Sequence, residues 1–112
     1  MSRLEKIQNL LRDDPEDVFL NYALALELDK GEQHEKSLEL FHKLTGGTPP
    51  YVPAFFMAAQ MLYRLDRCGE ARDFLNQGIR EARIQGDEHA AAEMSEYLEM
   101  MAAGENGEDA AS

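Results

Sequence analysis

This chain has little of what strands, membranes and disulfide scaffolds need. Val, Ile and Thr are few, and no long stretch alternates apolar with polar residues as a half-buried strand would, so a β-fold is excluded. The most apolar stretch, Tyr51 to Ala59, is interrupted by Pro53 and is far too short to span a bilayer. A single cysteine, Cys68, cannot form an internal disulfide and suits a reducing compartment, so the cytoplasm is the expected location. The segment from Met1 to Lys6 has no apolar run behind it, and a secretory leader is not expected. Positive charge is scarce too. Asp and Glu number 22 against 11 Lys and Arg, for a net charge of −11. Such a body repels phosphate backbones and anionic membrane surfaces, which disfavours nucleic-acid and membrane partners. The excess has two readings: plain solubility, or an acidic face that recruits a basic partner.

What the chain does have is helical periodicity. Its 112 residues suit one domain that needs no metal or disulfide to bury a core. A first helix is predicted over residues 2–12, with Leu4, Ile7, Leu10 and Leu11 on one face. Asp14-Pro15-Glu16-Asp17 reads as the start of a second helix running to Lys30, with Gly31 as its cap. A third spans about Gln33 to Leu44, before the break Thr45-Gly46-Gly47-Thr48-Pro49-Pro50. A fourth runs from about Val52 to Leu65 and a fifth from Glu70 to Gln85. Asp87 caps a sixth that ends near Ala103. Residues 104–112 hold no large apolar side chain and are expected to form a disordered acidic tail.

The strongest signal is a near-repeat every 34 residues. Under that shift Ala25 meets Ala59, Leu28 meets Leu62, Ser37 meets Ala71, Leu40 meets Phe74 and Phe41 meets Leu75. Small residues thus meet small ones, and large apolar residues meet large ones. A period of this length marks stacked helical hairpins, each too small to bury its apolar face alone. Ala25 and Ala59 sit midway along the first helix of each hairpin, and Ser37 and Ala71 near the start of the second. Small side chains there let two antiparallel helices approach closely.

These residues resemble the tetratricopeptide repeat. Phe55, Ala58-Ala59, Leu62, Ala71, Leu75 and Gly78 fill its pattern in order, and so do Leu24-Ala25, Leu28, Ser37, Phe41, Leu44 and Pro49. Asn21 stands where a bulky residue is expected, and Arg83 where a closing proline is. The resemblance covers roughly residues 3 to 102. It implies an all-α, antiparallel helical-hairpin stack, a right-handed superhelix of about six helices. Residues 2–12 would be a half repeat, 15–48 and 49–85 full repeats, and 87–103 a C-terminal capping helix, in one domain over 1–103. It implies a non-catalytic protein-interaction module whose first helices line a concave face. The family register puts Phe19, Tyr22 and Leu26 there from the first repeat, Phe56, Gln60, Tyr63 and Arg64 from the second, and Ala90, Met94 and Tyr97 from the last helix. The expected ligand is a peptide or helical segment of a protein partner, with basic, amphipathic character fitting both the charge and the aromatics. The carboxylate-clamp positions of some family members fall at Tyr22, Leu26, Met57, Ala90 and Met94, which carry no cation or amide, so a C-terminal-carboxylate receptor is disfavoured.

Little in the sequence points to catalysis. His34 and His42 are roughly 80° apart around a helix with no third ligand at metal spacing, and His89 stands alone, so all three read as surface histidines. Cys68 has no local base beside it and reads as a structural thiol. Gly46-Gly47 precedes two prolines rather than a helix, so it is no phosphate cradle. Arg64, Arg67, Arg72, Arg80 and Arg83 alternate with acids, as ion pairs on helix faces do. No cofactor or metal is expected. The alternative function is a self-associating structural subunit, a monomer or weak homodimer joined through terminal helices, with Met94, Leu98, Met100 and Met101 as the apolar face.

Overall fold

The computed structural model describes the backbone of residues 1–111 and the side chains of residues 1–105. Six helices follow one another: α1 Arg3–Asp13, α2 Val18–Lys30, α3 His34–Thr45, α4 Val52–Arg64, α5 Cys68–Ile84 and α6 Glu88–Ala111. No strand occurs among the described residues. Each helix packs on the next in sequence, and α4 also touches α2 and α6. This is a helical stack in which order in space follows order in the chain. The extents are 52 × 32 × 18 Å and the radius of gyration is 15.3 Å. A rounded domain of this length would have a radius near 13 Å, so the chain is drawn out along the stack.

The hairpins α2–α3 and α4–α5 close on small residues. Ala25, Ser37, Ala59 and Ala71 have no exposed surface. The Ser37 hydroxyl donates to the Ala25 carbonyl at 2.6 Å, a distance only two backbones in near contact allow. Phe41, Phe55, Leu62 and Leu75 fill the space around these seats. Each contributes about 1.5–3 kcal/mol by burial. The turns of the two hairpins match. Glu32 (φ 61°) and Asp66 (φ 60°) adopt the left-handed conformation. The next amides, of Gln33 and Arg67, donate to Leu28 and Leu62 at 2.8 Å. This is the six-to-one closure of a Schellman end. The left-handed residue is therefore Glu32 and not the neighbouring Gly31, whose φ is −82°.

Two element boundaries differ from the sequence expectation. α2 begins at Val18, because the Asp17 carboxylate, rather than Asp14, accepts from the Leu20 amide at 2.8 Å. Pro15 and Glu16 form a turn before it, held by Asn21, whose amide donates to the Pro15 and Asp17 carbonyls at 3.0 and 2.8 Å. Asn21 is thus buried at the bulky position because it fastens that turn. At the other end, α6 passes Gly104 and continues to Ala111, where a disordered tail over 104–112 was expected. Glu105 is tied to Arg72 of α5 at 2.7 Å, and Gly104 lies under the Tyr63 hydroxyl, so the glycine marks a contact rather than a stop. Ser112 lies outside the described residues.

Gly78 marks the closest approach between α5 and the helices flanking it. A Cβ there would meet Met94 Sδ and Phe55 Cβ at 2.6 Å, whereas one at Gly69 would meet nothing within 4 Å. Gly→Ala gains about 1 kcal/mol of helix propensity at either position. At Gly78, overpacking of about 1–3 kcal/mol opposes it. Gly78→Ala is therefore expected to lower the melting temperature by several degrees and Gly69→Ala to leave it unchanged or raise it. Thermal unfolding by circular dichroism checks both.

Candidate partner-binding groove

The first helices of the hairpins, α2 and α4, and the terminal α6 lie side by side, which puts their N-terminal halves along one face. A groove of 260 Å³ runs between them, with Tyr22, Pro53, Phe56 and Met57 on one side and Asp87, His89, Ala90 and Glu93 on the other. It meets a wider hollow of 650 Å³ through the shared residues Val52, Pro53 and Asp87. The wider hollow lies at one edge of the stack, between Val18 of α2 and the loop from Gly47 to Tyr51.

The expected site residues divide into three groups. Phe19 is 68% exposed, a bare aromatic ring on α2. Tyr22, Leu26, Phe56, Gln60, Tyr63 and Tyr97 are half-buried, and Arg64 is exposed. The aromatics are braced against one another. Tyr22 meets Tyr51 edge-on at 5.2 Å, and Tyr97 meets Phe56 at 5.3 Å and Tyr63 at 5.9 Å. All pack between helices, and Tyr22 and Phe56 also border the groove. Met94, by contrast, is 1% exposed: it packs on Gly78 and Phe55 and reaches the groove only at its floor. It belongs to the core. Met101, expected on a self-association face, is wholly buried as well.

The misplacement of Met94 has a simple cause. The cap residues Asp17 and Tyr51 are 34 apart, but Tyr51 and Asp87, whose carboxylate accepts from the Ala90 amide at 3.0 Å, are 36 apart. α5 has 17 residues where α3 has 12, and a short turn at Gly86 (φ 79°) replaces the loop that follows α3. Carrying the 34-residue period into α6 therefore slips its register by two, and two residues turn a helix by roughly 200°. Counted from Asp87, the counterparts of Phe56, Gln60, Tyr63 and Arg64 are Ala92, Glu96, Glu99 and Met100, all exposed, while Glu93 lines the groove itself. This stripe is acidic. The Asp87 cap was legible in the sequence and would have located it.

The cation expected in the groove is already engaged. Arg64 bonds Asp29 in the turn of the preceding hairpin, and the same carboxylate holds His34 Nδ1 at 3.0 Å. His34 is thus half-buried in an inter-repeat network rather than a free surface residue. Arg67 forks onto Glu70 at 2.9 and 2.8 Å and reaches Glu35 across the hairpins. Its hydrogen bonds hold the Glu70 carboxyl below the usual carboxylate range. Among the described residues, no group of three or more His, Cys, Asp or Glu side chains stands at metal-binding distance. Nor is any helix there long and apolar enough to cross a membrane.

No family model and no curated protein matches the chain. Among solved structures it is similar to a tetratricopeptide repeat domain protein from Salinibacter ruber, with a TM-score of 0.70 and 37% identity, over 75% of this chain and 85% of that one.

Burial, and next the neighbouring Tyr51 phenol, raises the Tyr22 pKa; burial, and next Tyr63, raises that of Tyr97 against the opposing pull of Arg64. A raised phenol pKa means that the fold favours the neutral form. The associated stability is complete below the unfolded pKa of about 10 and is lost as pH rises through the folded value. Tyrosinate absorbance should show a component titrating above the ordinary range, reduced in Tyr22→Phe and in Tyr97→Phe, with alkaline unfolding close behind it.

Proposed function

The chain belongs to the tetratricopeptide repeat family, and from that premise we propose that it is a non-catalytic adaptor whose concave face takes a basic, amphipathic helical segment of a partner protein. The fold is in general that of a protein-interaction scaffold rather than a catalyst. The observation that carries the finer reading is the pairing of an apolar wall with an acidic one. Tyr22, Pro53, Phe56 and Met57 offer apolar and aromatic surface on the α2 and α4 side, while Asp87 and Glu93 line the α6 side; Phe19 of α2 and Glu96 of α6 are exposed on the same helices. A helix with Leu or Phe on one flank and Lys or Arg on the other satisfies both walls. Arg64, spent on Asp29, does not repel it. Aromatics braced by their neighbours lose little freedom on binding, which favours them as anchors. The proposed setting is the cytoplasm, which suits the free thiol of Cys68.

The test is a titration of the labelled protein with two 15-residue helical peptides that share a Leu face, one flanked by Lys and the other by Glu. The Lys peptide is expected to shift the signals of Phe19, Phe56, Glu93 and Glu96. Glu93→Lys with Glu96→Lys should weaken it about tenfold, the scale of two exposed charge contacts changed from attraction to repulsion. Equal affinity for the Glu peptide, or shifts confined to α3 and α5, would overturn the groove.

A further inference from the structure

Asn21 does more than fasten a turn. It is 6% exposed, and its side-chain amide has only one possible orientation. The group 3.0 Å from the Pro15 carbonyl oxygen and 2.8 Å from that of Asp17 must be the NH2, because carbonyl oxygens only accept. Both of its hydrogens are spent there. Oδ1 is therefore turned away from those carbonyls, and no donor among the described residues reaches it. Nor is it sealed in, since no fully buried side-chain oxygen or nitrogen among those residues lacks a partner. It opens onto the 650 Å³ hollow that Asn21 helps to line. A fixed acceptor in an otherwise apolar recess is how a ligand's donor is selected and oriented.

The rest of the hollow specifies the donor. Val18, Leu44, Val52 and Pro53 supply apolar walls, and Tyr51 adds an aromatic ring. The charged groups facing it are Glu16, Lys43 and Asp87. Lys43 is drawn to Glu16 at 3.5 Å, which leaves the balance negative through Asp87. One Asp87 oxygen caps α6 by accepting from the Ala90 amide, and no donor among the described residues holds the other. Unanswered acceptors, a negative balance and apolar sides together call for a cation on an apolar stem. Arginine suits this better than lysine. Its planar fork serves acceptors in several directions and stacks on aromatic rings. It is also more weakly hydrated than an ammonium, so it loses less on entering an apolar recess.

We propose that the hollow is an arginine pocket, in which a guanidinium carried at one end of the partner segment donates to Asn21 Oδ1 while its stem lies against Val18 and Val52. The identity of the occupant rests on the groove reading. Hollow and groove join at Val52, Pro53 and Asp87, so a helix lying in the groove delivers its terminal turn to the hollow. The arginine thereby also sets the direction of the bound segment: the end that carries it points toward Pro49 and Pro50.

Two measurements test this and separate the pocket from the groove. In the first, N-acetyl-arginine amide is titrated into the labelled full chain. It should shift the backbone signals of Val18, Tyr51 and Val52 and the side-chain amide of Asn21. N-acetyl-citrulline amide, of similar shape without the charge, and N-acetyl-lysine amide should shift them less. In the second, the Lys-flanked helical peptide is lengthened by an arginine at its N-terminus or, separately, at its C-terminus. One of the two should bind about tenfold tighter than the parent, the scale of one charge-assisted hydrogen bond, and the other no tighter. Glu16→Lys, at an exposed position, reverses the charge balance of the hollow and should remove that gain. Equal shifts from the arginine and citrulline probes, or shifts confined to other residues, would overturn the pocket. So would a gain absent from both peptides or shared equally by both, and so would a gain that survives Glu16→Lys. A parent peptide that does not bind removes the groove, and the arginine-amide titration then decides the pocket by itself.

Discussion

The structure depends on a seat in which two helix backbones touch. Where Ser37 meets Ala25, and Ala71 meets Ala59, nothing larger than a hydroxyl or a methyl separates the helices. Close contact at those seats fixes how each hairpin folds back on itself. Larger residues, Phe41, Phe55, Leu62 and Leu75, then fill the wedge-shaped spaces to either side. Gly78 extends the same logic to a third contact, letting Met94 of α6 lie against α5. Cores tolerate changes in the large residues better than changes in such seats, because a methylene added between backbones moves whole helices rather than one rotamer.

Function follows from what this seating does to the first helices. With α2, α4 and α6 held side by side, side chains from three separate segments face the same groove. The rings of Tyr22 and Phe56 are shared between helix packing and groove border, and Tyr63 and Tyr97 brace them from behind. The acids of α6 then stand opposite an apolar wall they never adjoin in sequence. Ions act across repeats in the same way. Asp29 binds Arg64 and His34, and Arg67 binds Glu35, so neighbouring hairpins are fastened at their turns as well as through their cores. Each such pair lies at the surface, where solvent screens it, so the pairs set orientation more than stability.

Much of this was legible in the residues. The small-residue seats, the apolar positions and the break at Gly46-Gly47 through Pro50 located five of the helices and their pairing, because helical spacing and close packing both restrict local residue choice. Other features were hidden for physical reasons. The slip of two residues at α6 came from carrying a period across a turn of different length, and a helix converts a small error in count into a large error in direction. The helical course past Gly104 depends on contacts with Tyr63 and Arg72, more than thirty residues away. Asn21 looked like a departure from the repeat pattern until its two backbone bonds appeared.

Local chemistry, written in the order of the residues, was sufficient to settle that this protein is a stack of helical hairpins and that it is strongly acidic. Periodic apolar positions, small seats and capping residues act within a turn or two of themselves. The tertiary structure alone decided which side chains remain outside. Exposure is a property of neighbours from other helices, so only the assembled stack could send Met94 inward and bring Tyr22, Phe56 and Glu93 to the border of one groove.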